Sequence, residues 1–303
     1  SPSVASAKAP MNQPQRETMK LWDGDVSYLE WASPGPSLLF SHATGFNAET
    51  YRMLLQPLSD RFHIYAIDQR GHGFTSLPVE ENLAKDWLIY RDDLVRFLDG
   101  LDGRPMILAG HSMGATVSLM AALLRPDLVR GLVLIEPVFM PGSQFHWLLA
   151  RWRMAKRGDP NLAERAAKRR DTFESLEFVE RGYRGRGAFK TWPDQMVHDY
   201  LKGGLLPTED GQVRLACAPA WESQTFRLSP RGVTQAVRGL KCPVTLIHAG
   251  QHSTCPESEA LRFVKNHRQT RRVFIEKATH FLPMEYLDAV QKEIARMAHR
   301  APR

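Results

Sequence analysis

Four short apolar runs recur in the first half of the chain: Ser37-Leu-Leu-Phe40, Phe62-His-Ile-Tyr-Ala-Ile67, Met106-Ile-Leu108 and Leu132-Val-Leu-Ile135. Segments of helical character separate them, at Glu49 to Leu58, Leu83 to Leu98 and Thr116 to Leu124. Strands alternating with helices predict a parallel sheet with both faces covered, because each crossover lays its helix against the sheet. Ahead of these runs, residues 17–22 and 26–31 alternate apolar and polar side chains across Asp23-Gly24-Asp25, a hairpin signal. The alternation of strand and helix stops after Phe139. It resumes with Val244-Thr-Leu-Ile247, a helix near Ser258 to Val264, Arg272-Val-Phe-Ile275 and a final helix near Glu285 to Met297. Residues 140–235 therefore interrupt a regular core formed by 16–139 and 236–303. They are rich in helix formers and contain Trp147, Trp152, Trp192 and Trp221, which predicts an inserted helical cap with an apolar underside. No internal repeat is visible.

A chain of 303 residues buries a large core, and its 43% hydrophobic and 9% aromatic content is that of an ordinary globular protein. No apolar run approaches the roughly 20 residues needed to span a bilayer. Residues 1–15 are small, polar and broken by proline, without the apolar core of a signal peptide, and are expected to form a disordered tail. Cys217, Cys242 and Cys255 are too few for a disulfide framework and suit a reducing cytoplasm. The net charge of +7 raises the question of nucleic acid, but residues 141–240 alone carry 17 Lys/Arg against 11 Asp/Glu. There Arg165, Lys168, Arg169 and Arg170 are interleaved with Glu164, Asp171, Glu174 and Glu177, as on a solvated helix face. No aromatic-basic pattern of a nucleic-acid module accompanies them, so no nucleic-acid partner is expected.

Candidate chemistry centres on Gly110-His111-Ser112-Met113-Gly114, placed directly after one apolar run and directly before a helical segment. In a G-x-S-x-G turn between strand and helix, the small residues let the chain bend sharply and push the serine hydroxyl out of the sheet. A serine that merely capped the helix would not need both glycines. A hydroxyl is a weak nucleophile until a base removes its proton, and that base must be held in the right tautomer. Of the 11 histidines, His280 is the candidate base: it follows the last apolar run and obeys the chain order serine, acid, histidine. His63 and His248 read as strand residues, His42 and His72 as loop formers, and His146, His198, His267 and His299 as surface or cap residues.

The acid is less direct. Ala249-Gly-Gln-His-Ser-Thr-Cys-Pro256 follows the penultimate apolar run and contains no carboxylate. His252 or Ser253 stands where an acid would be expected, and neither is an anionic partner for an imidazolium. Glu136, at the end of the run Leu132–Ile135, is costly to bury without a partner and should lie beside Ser112 on one rim of the sheet. It is the first candidate, and Glu257 the alternative. The oxyanion needs backbone donors, expected from Met113 and from Thr44, with its neighbour Gly45 the alternative, in Ser41-His-Ala-Thr-Gly-Phe-Asn47. His42, expected to brace this loop, is grouped with Gly45, Phe46 and Phe281 as candidate substrate contacts. Asp68-Gln-Arg-Gly-His-Gly73 reads as a structural turn in which Asp68 pairs with Arg70 and the glycines permit the bend. No His/Cys cluster has the spacing of metal ligands, so neither metal nor organic cofactor is expected.

Taken in order, His42-Ala-Thr-Gly-Phe46, Asp68-Gln-Arg-Gly-His-Gly73, Gly110-His-Ser-Met-Gly114 and Thr279-His280-Phe281 resemble the α/β-hydrolase superfamily. The resemblance implies a mostly parallel eight-stranded sheet with helices on both faces and an inserted helical cap. Haloalkane dehalogenases and epoxide hydrolases of that superfamily carry an aspartate at the elbow, which Ser112 argues against. The acid 24 residues past the nucleophile matches the position used in one branch of the dehalogenases. The expected activity is a serine esterase acting on a small-molecule ester or thioester through an acyl-enzyme. Phosphate-bearing substrates such as acyl-CoA would have the basic cap to contact. Carbon–carbon hydrolysis, lactone opening, acyl transfer and perhydrolysis run on the same scaffold, and some members keep the triad but act as ligand sensors. Product analysis separates the reactions, and ligand-dependent complex formation with slow turnover identifies a sensor.

Overall fold

Leu38, Phe40, Ile107, Ala109, Val133 and Ile135 pack into one apolar cluster, while Leu39, Leu108, Leu132 and Leu134, their neighbours in sequence, pack into another. Side chains alternate across a strand, so strands that are apolar at every position need cover on both faces. The computed structural model describes residues 12–80, 86–139, 170–230 and 232–302. Its central sheet has 8 strands in the order β1-β2-β4-β3-β5-β6-β10-β11. These are β1 (Gln15–Lys20), β2 (Asp25–Trp31), β3 (Ser37–Ser41), β4 (His63–Ile67), β5 (Met106–His111), β6 (Val129–Ile135), β10 (Val244–Ala249) and β11 (Thr270–Ile275). From β4 to β11 every pairing is parallel, whereas β2 runs antiparallel to both β1 and β4. The hairpin pairs Gln15 with Glu30 and Lys20 with Asp25, so β1 includes the last residue assigned to the tail. Tail residues 1–11 lie outside the described residues.

On one face lie α1 (Leu88–Gly100), α2 (Met113–Leu124) and α6 (Glu257–Asn266), and on the other α7 (Leu287–Arg300). The helix α2 is buried nearly all round, as its apolar sequence Met-Gly-Ala-Thr-Val-Ser-Leu-Met-Ala-Ala-Leu-Leu requires. By contrast, α7 buries Val290, Ile294 and Met297, spaced to share one helical stripe, together with Glu293, which pairs with Arg271. The helix expected over Glu49 to Leu58 is instead a single α-turn, Arg52–Leu55, between two 3-10 turns, with Pro57 in the second. Residues 83–85 of the second expected helix lie outside the described residues.

Between β6 and β10 the described part of the insertion contains α3 (Leu176–Tyr183), α4 (Asp194–Gly204) and α5 (Pro219–Arg227). It is not all helical. β7 (Thr172–Phe173), β8 (Leu205–Pro207) and β9 (Val213–Leu215) form a small antiparallel sheet in the order β7-β9-β8. Gly211 at φ +80° closes the β8–β9 turn, a conformation that side-chain-bearing residues resist. Trp147, Trp152, His146 and the run from Glu164 to Arg169 lie outside the described residues. Polar contacts tie the described part of the insertion to the core. The Asn47 amide donates to the Tyr200 carbonyl at 3.0 Å, the Trp221 indole to the Arg70 carbonyl at 3.1 Å, and the Trp87 indole to the Thr225 carbonyl at 2.9 Å.

The turn after β4 departs from expectation. Asp68 does not pair with Arg70. It is fully buried and accepts hydrogen bonds from Arg16 at 2.9 Å and from the Ala48 and Phe74 N–H groups at 2.8 and 3.0 Å. Arg70 instead grips Asp93 of α1 with two bonds of 2.8 and 2.7 Å. The two side chains leave the bend in different directions, one toward β1 and the loop after β3, the other toward α1.

Candidate active site

Gly110 and Gly114 show why the elbow has the sequence it has. A β-carbon at Gly114 would stand 2.1 Å from the Ser41 carbonyl oxygen, and one at Gly110 would stand 2.5 Å from the Gly114 backbone. Only bare backbone lets β5, the turn and β3 approach this closely. Between them Ser112 sits at φ +56°, ψ −118°, a strained conformation costing on the order of 1–3 kcal/mol. Its N–H donates to the Ile135 carbonyl at 3.0 Å, which locks the turn to the end of β6. Gly114→Ala is expected to destabilise the protein by about 3 kcal/mol, since backbone rather than a flexible side chain must yield. A urea midpoint equal to that of the parent would show that the end of β3 gives way freely.

The Ser112 hydroxyl lies 2.9 Å from His280 Nε2, and His280 Nδ1 lies 3.2 Å from Glu136 Oε1. With the Nδ1 proton toward the carboxylate, Nε2 is left to accept from the hydroxyl, the arrangement a general base needs. Glu136 is fully buried at φ +46°, immediately after β6. Its second oxygen accepts from the Ala249 N–H at 2.9 Å and from the Ser253 hydroxyl at 2.7 Å. Glu257, the alternative acid, is 61% exposed and pairs with Arg272 at 2.6 Å. The acid-free loop after β10 thus reaches the same site with hydroxyls in place of a carboxylate.

The turn after β3 runs from Ala43 to Phe46, closed by a 3.0 Å bond from the Phe46 N–H to the Ala43 carbonyl, with Gly45 at φ +84°. The Gly45 N–H is already spent on His72 Nε2 at 2.9 Å. Among the described residues no hydrogen bond engages the N–H of Thr44 or of Met113, so these two donors remain for an oxyanion. Of the two candidates in this turn, the geometry leaves Thr44.

Three buried histidines hold this loop, and all are neutral by their bonding. His42 donates from Nδ1 to the Ala43 carbonyl at 2.8 Å and accepts the Gln69 N–H at 2.9 Å. Fully buried, with both ring nitrogens taken, it braces the loop and offers no polar atom to a substrate. His72 donates to the Arg70 carbonyl at 2.9 Å. His111 donates from Nε2 to the His280 carbonyl at 2.8 Å and accepts the Tyr51 hydroxyl at 2.8 Å, which in turn accepts the Ala43 N–H at 3.0 Å. This chain links the turn after β3 to His280 and was not apparent from sequence, although His111 sits inside the elbow motif.

Burial lowers the pKa of His72 to about 4, and burial followed by the nearby His280 lowers that of His111 to about 3. His42 is also held well below the usual histidine value, mainly by burial and then by His72. Below pH 6.5 the unfolded chain binds protons that the folded chain refuses, so stability is full above that pH and lost as pH falls toward 4 and 3. Each of the three histidines is expected to cost about 1.4 kcal/mol per pH unit in that window. Urea unfolding at pH 7.5 and 5.5 measures the loss, and His111→Gln should reduce the slope.

Phe46 and Phe281, both candidate contacts, are 6.3 Å apart between ring centres and flank His111 and His280 at 6.4 and 6.3 Å. Trp192 of the insertion packs edge-on against Phe46 at 5.2 Å and Phe281 at 5.8 Å, and Tyr200 against Phe46 at 5.6 Å. The apolar underside expected from the tryptophans is thus formed here by Trp192, whereas Trp221 packs on the other face, under Gly71. Gly45, Phe46 and Tyr200 line a small cleft with Cys217 and Glu222. Among the described residues no group of three or more His, Cys, Asp or Glu side chains is placed to hold a metal ion, and no helix is long and apolar enough to cross a membrane.

A model of the alpha/beta hydrolase family matches residues 38–293, from β3 to the middle of α7. The chain belongs to the alpha/beta hydrolase family. This alpha/beta hydrolase is 32% identical over 227 residues to 2-(acetamidomethylene)succinate hydrolase of Mesorhizobium japonicum, spanning 75% of this chain and 74% of that protein. It is 30% identical over 148 residues to monoglyceride lipase of Rattus norvegicus, 45% of this chain and 48% of the lipase. Among solved structures, E-2-(acetamidomethylene)succinate hydrolase superposes with a TM-score of 0.75 at 24% identity, covering 94% of this chain and 99% of that one. The thioesterase domain from the curacin biosynthetic pathway superposes with a TM-score of 0.73 at 19% identity, covering 94% and 100%. These two likenesses establish the shared fold.

Proposed function

We propose that this alpha/beta hydrolase is a serine hydrolase that cleaves a carboxylic ester or thioester through an acyl-enzyme. The observation that carries the reading is the continuous line from Glu136 through His280 to the Ser112 hydroxyl, with spans of 3.2 and 2.9 Å, beside two uncommitted backbone donors. Ser112 Oγ attacks the carbonyl carbon while His280 Nε2 takes its proton. The carbonyl oxygen becomes an oxyanion held by the Met113 and Thr44 N–H groups, a term worth about 10²–10³ in rate for each donor. Collapse breaks the bond to the alcohol or thiol, which leaves with the proton carried by His280. Water then attacks the acyl-serine with the same base, and the second collapse releases the carboxylic acid and restores the Ser112 hydroxyl. Phe46, Phe281 and Trp192 favour an apolar group beside the carbonyl.

Intact mass after exposure to a fluorophosphonate, with peptide mapping, tests the reading. One adduct on Ser112 is the expected result, and its absence would mean that base and nucleophile are not working together. A second reading rests on the Mesorhizobium relative: hydrolysis of 2-(acetamidomethylene)succinate itself. An assay of that compound beside a panel of simple esters separates the two.

A further inference from the structure

The loop after β10 lacks an acid, yet two of its hydroxyls reach the proposed triad. Thr254 Oγ1 lies 3.2 Å from His280 Nδ1, the same distance as Glu136 Oε1. The same hydroxyl lies 3.2 Å from the Glu136 carbonyl and 3.1 Å from the Pro137 carbonyl. A hydroxyl has one proton, and those carbonyls can only accept, so the Thr254 proton belongs to them. Its oxygen then faces His280 as an acceptor. An unprotonated Nδ1 would set lone pairs against the Glu136 carboxylate, so Nδ1 carries the proton and shares it between two oxygens. Ser253 is committed just as firmly: its oxygen accepts the Cys255 N–H at 2.9 Å, and its proton goes to Glu136 Oε2 at 2.7 Å. A bond from the Phe139 N–H to the Thr254 carbonyl, at 3.0 Å, fastens the loop to the segment after β6.

We propose that Thr254 and Ser253 are positioning residues that set the basicity of His280 in opposite directions, Thr254 by accepting from Nδ1–H and Ser253 by withdrawing charge from Glu136. This rests on the serine-hydrolase reading of Ser112, His280 and Glu136. An acceptor at Nδ1 stabilises the imidazolium that forms when Nε2 takes the Ser112 proton, so Thr254 favours proton transfer to the ring. A donor to the carboxylate spreads its charge, so Ser253 opposes that transfer. Two such groups hold a lone carboxylate and a ring in register where the loop supplies no acid of its own.

The test is the pH titration of the His280 ring by NMR in the intact protein, assigned with His280→Gln, alongside the rate of fluorophosphonate labelling. Thr254→Val removes the acceptor at nearly constant volume and should move the ring's titration below the parent's and slow labelling roughly 10-fold. Thr254→Ser keeps the hydroxyl and should titrate and label as the parent does; it also serves if the valine variant does not fold. Ser253→Ala should move the titration upward. Thr254→Val titrating as the parent, Thr254→Ser differing from it, or Thr254→Val and Ser253→Ala shifting the same way, would each overturn the proposal. Unlabelled Ser112 in a parent protein whose variants still shift as stated would instead sink the serine-hydrolase reading and leave the positioning roles standing.

Discussion

Ser112→Ala is expected to lower kcat on any turned-over ester by about 10⁴-fold or more while leaving the fold in place. The substitution keeps the β-carbon, so the close packing of Gly110 and Gly114 around the elbow is untouched. What it removes is the oxygen that attacks and the 2.9 Å bond to His280. The main-chain bond from residue 112 to the Ile135 carbonyl survives, as do the Thr44 and Met113 N–H groups. Any residual rate then measures what the oxyanion donors achieve with water alone. Turnover with a purified variant and its thermal melt are the two measurements. Activity close to that of the parent would end the acyl-enzyme mechanism, whereas a collapsed melt would mean that the hydroxyl is structural.

Glu136→Gln is the second large effect, and hydrogen-bond bookkeeping at the site predicts its mechanism. The outer oxygen of Glu136 receives two donors, the Ala249 N–H and the Ser253 hydroxyl. If the glutamine oxygen takes that place, its amide nitrogen faces His280 Nδ1 as a donor. The ring must then move its proton to Nε2, where it can no longer accept from Ser112. If the amide is flipped, its nitrogen meets the Ala249 N–H and leaves a buried donor unsatisfied, at a cost of about 1–3 kcal/mol. The first arrangement loses the base by tautomer, a defect worth about 10⁴ in kcat where it is known. A loss of 10²–10⁴ in the labelling rate of Ser112 is therefore expected, with Glu257→Gln labelling as the parent does because its Arg272 contact lies at the surface. The reverse outcome would transfer the acid role to Glu257.

Features that depend on neighbours in sequence were legible without a structure. Continuous apolar runs put apolar side chains on both faces whatever the order of the strands, so the sheet and its two-sided cover followed from residues such as Leu38, Leu39 and Phe40. The elbow followed from Gly110 and Gly114, because only a missing β-carbon allows that approach. The extra sheet of the insertion was missed because β7, β8 and β9 are two or three residues each, too short to show a period.

Partnering across the chain was a different matter, since it depends on strand order and on where each side chain leaves its turn. Both Glu136 and Glu257 were reasonable acids in sequence; only the adjacency of β6 and β10 brings Glu136 to His280 and sends Glu257 to Arg272. Thr44 was the first choice as a donor and Gly45 the alternative, and only the structure shows that His72 takes the Gly45 N–H. Asp68 and Arg70 looked like partners because they are close in sequence, yet each is buried against a different neighbour. The loop without an acid looked like a gap, and Ser253 and Thr254 fill it only because the fold carries them to the end of β6. Local sterics wrote the strands and the elbow into the sequence, while the pairing of buried polar groups waited for the tertiary structure that desolvates them and limits each to the partners within reach.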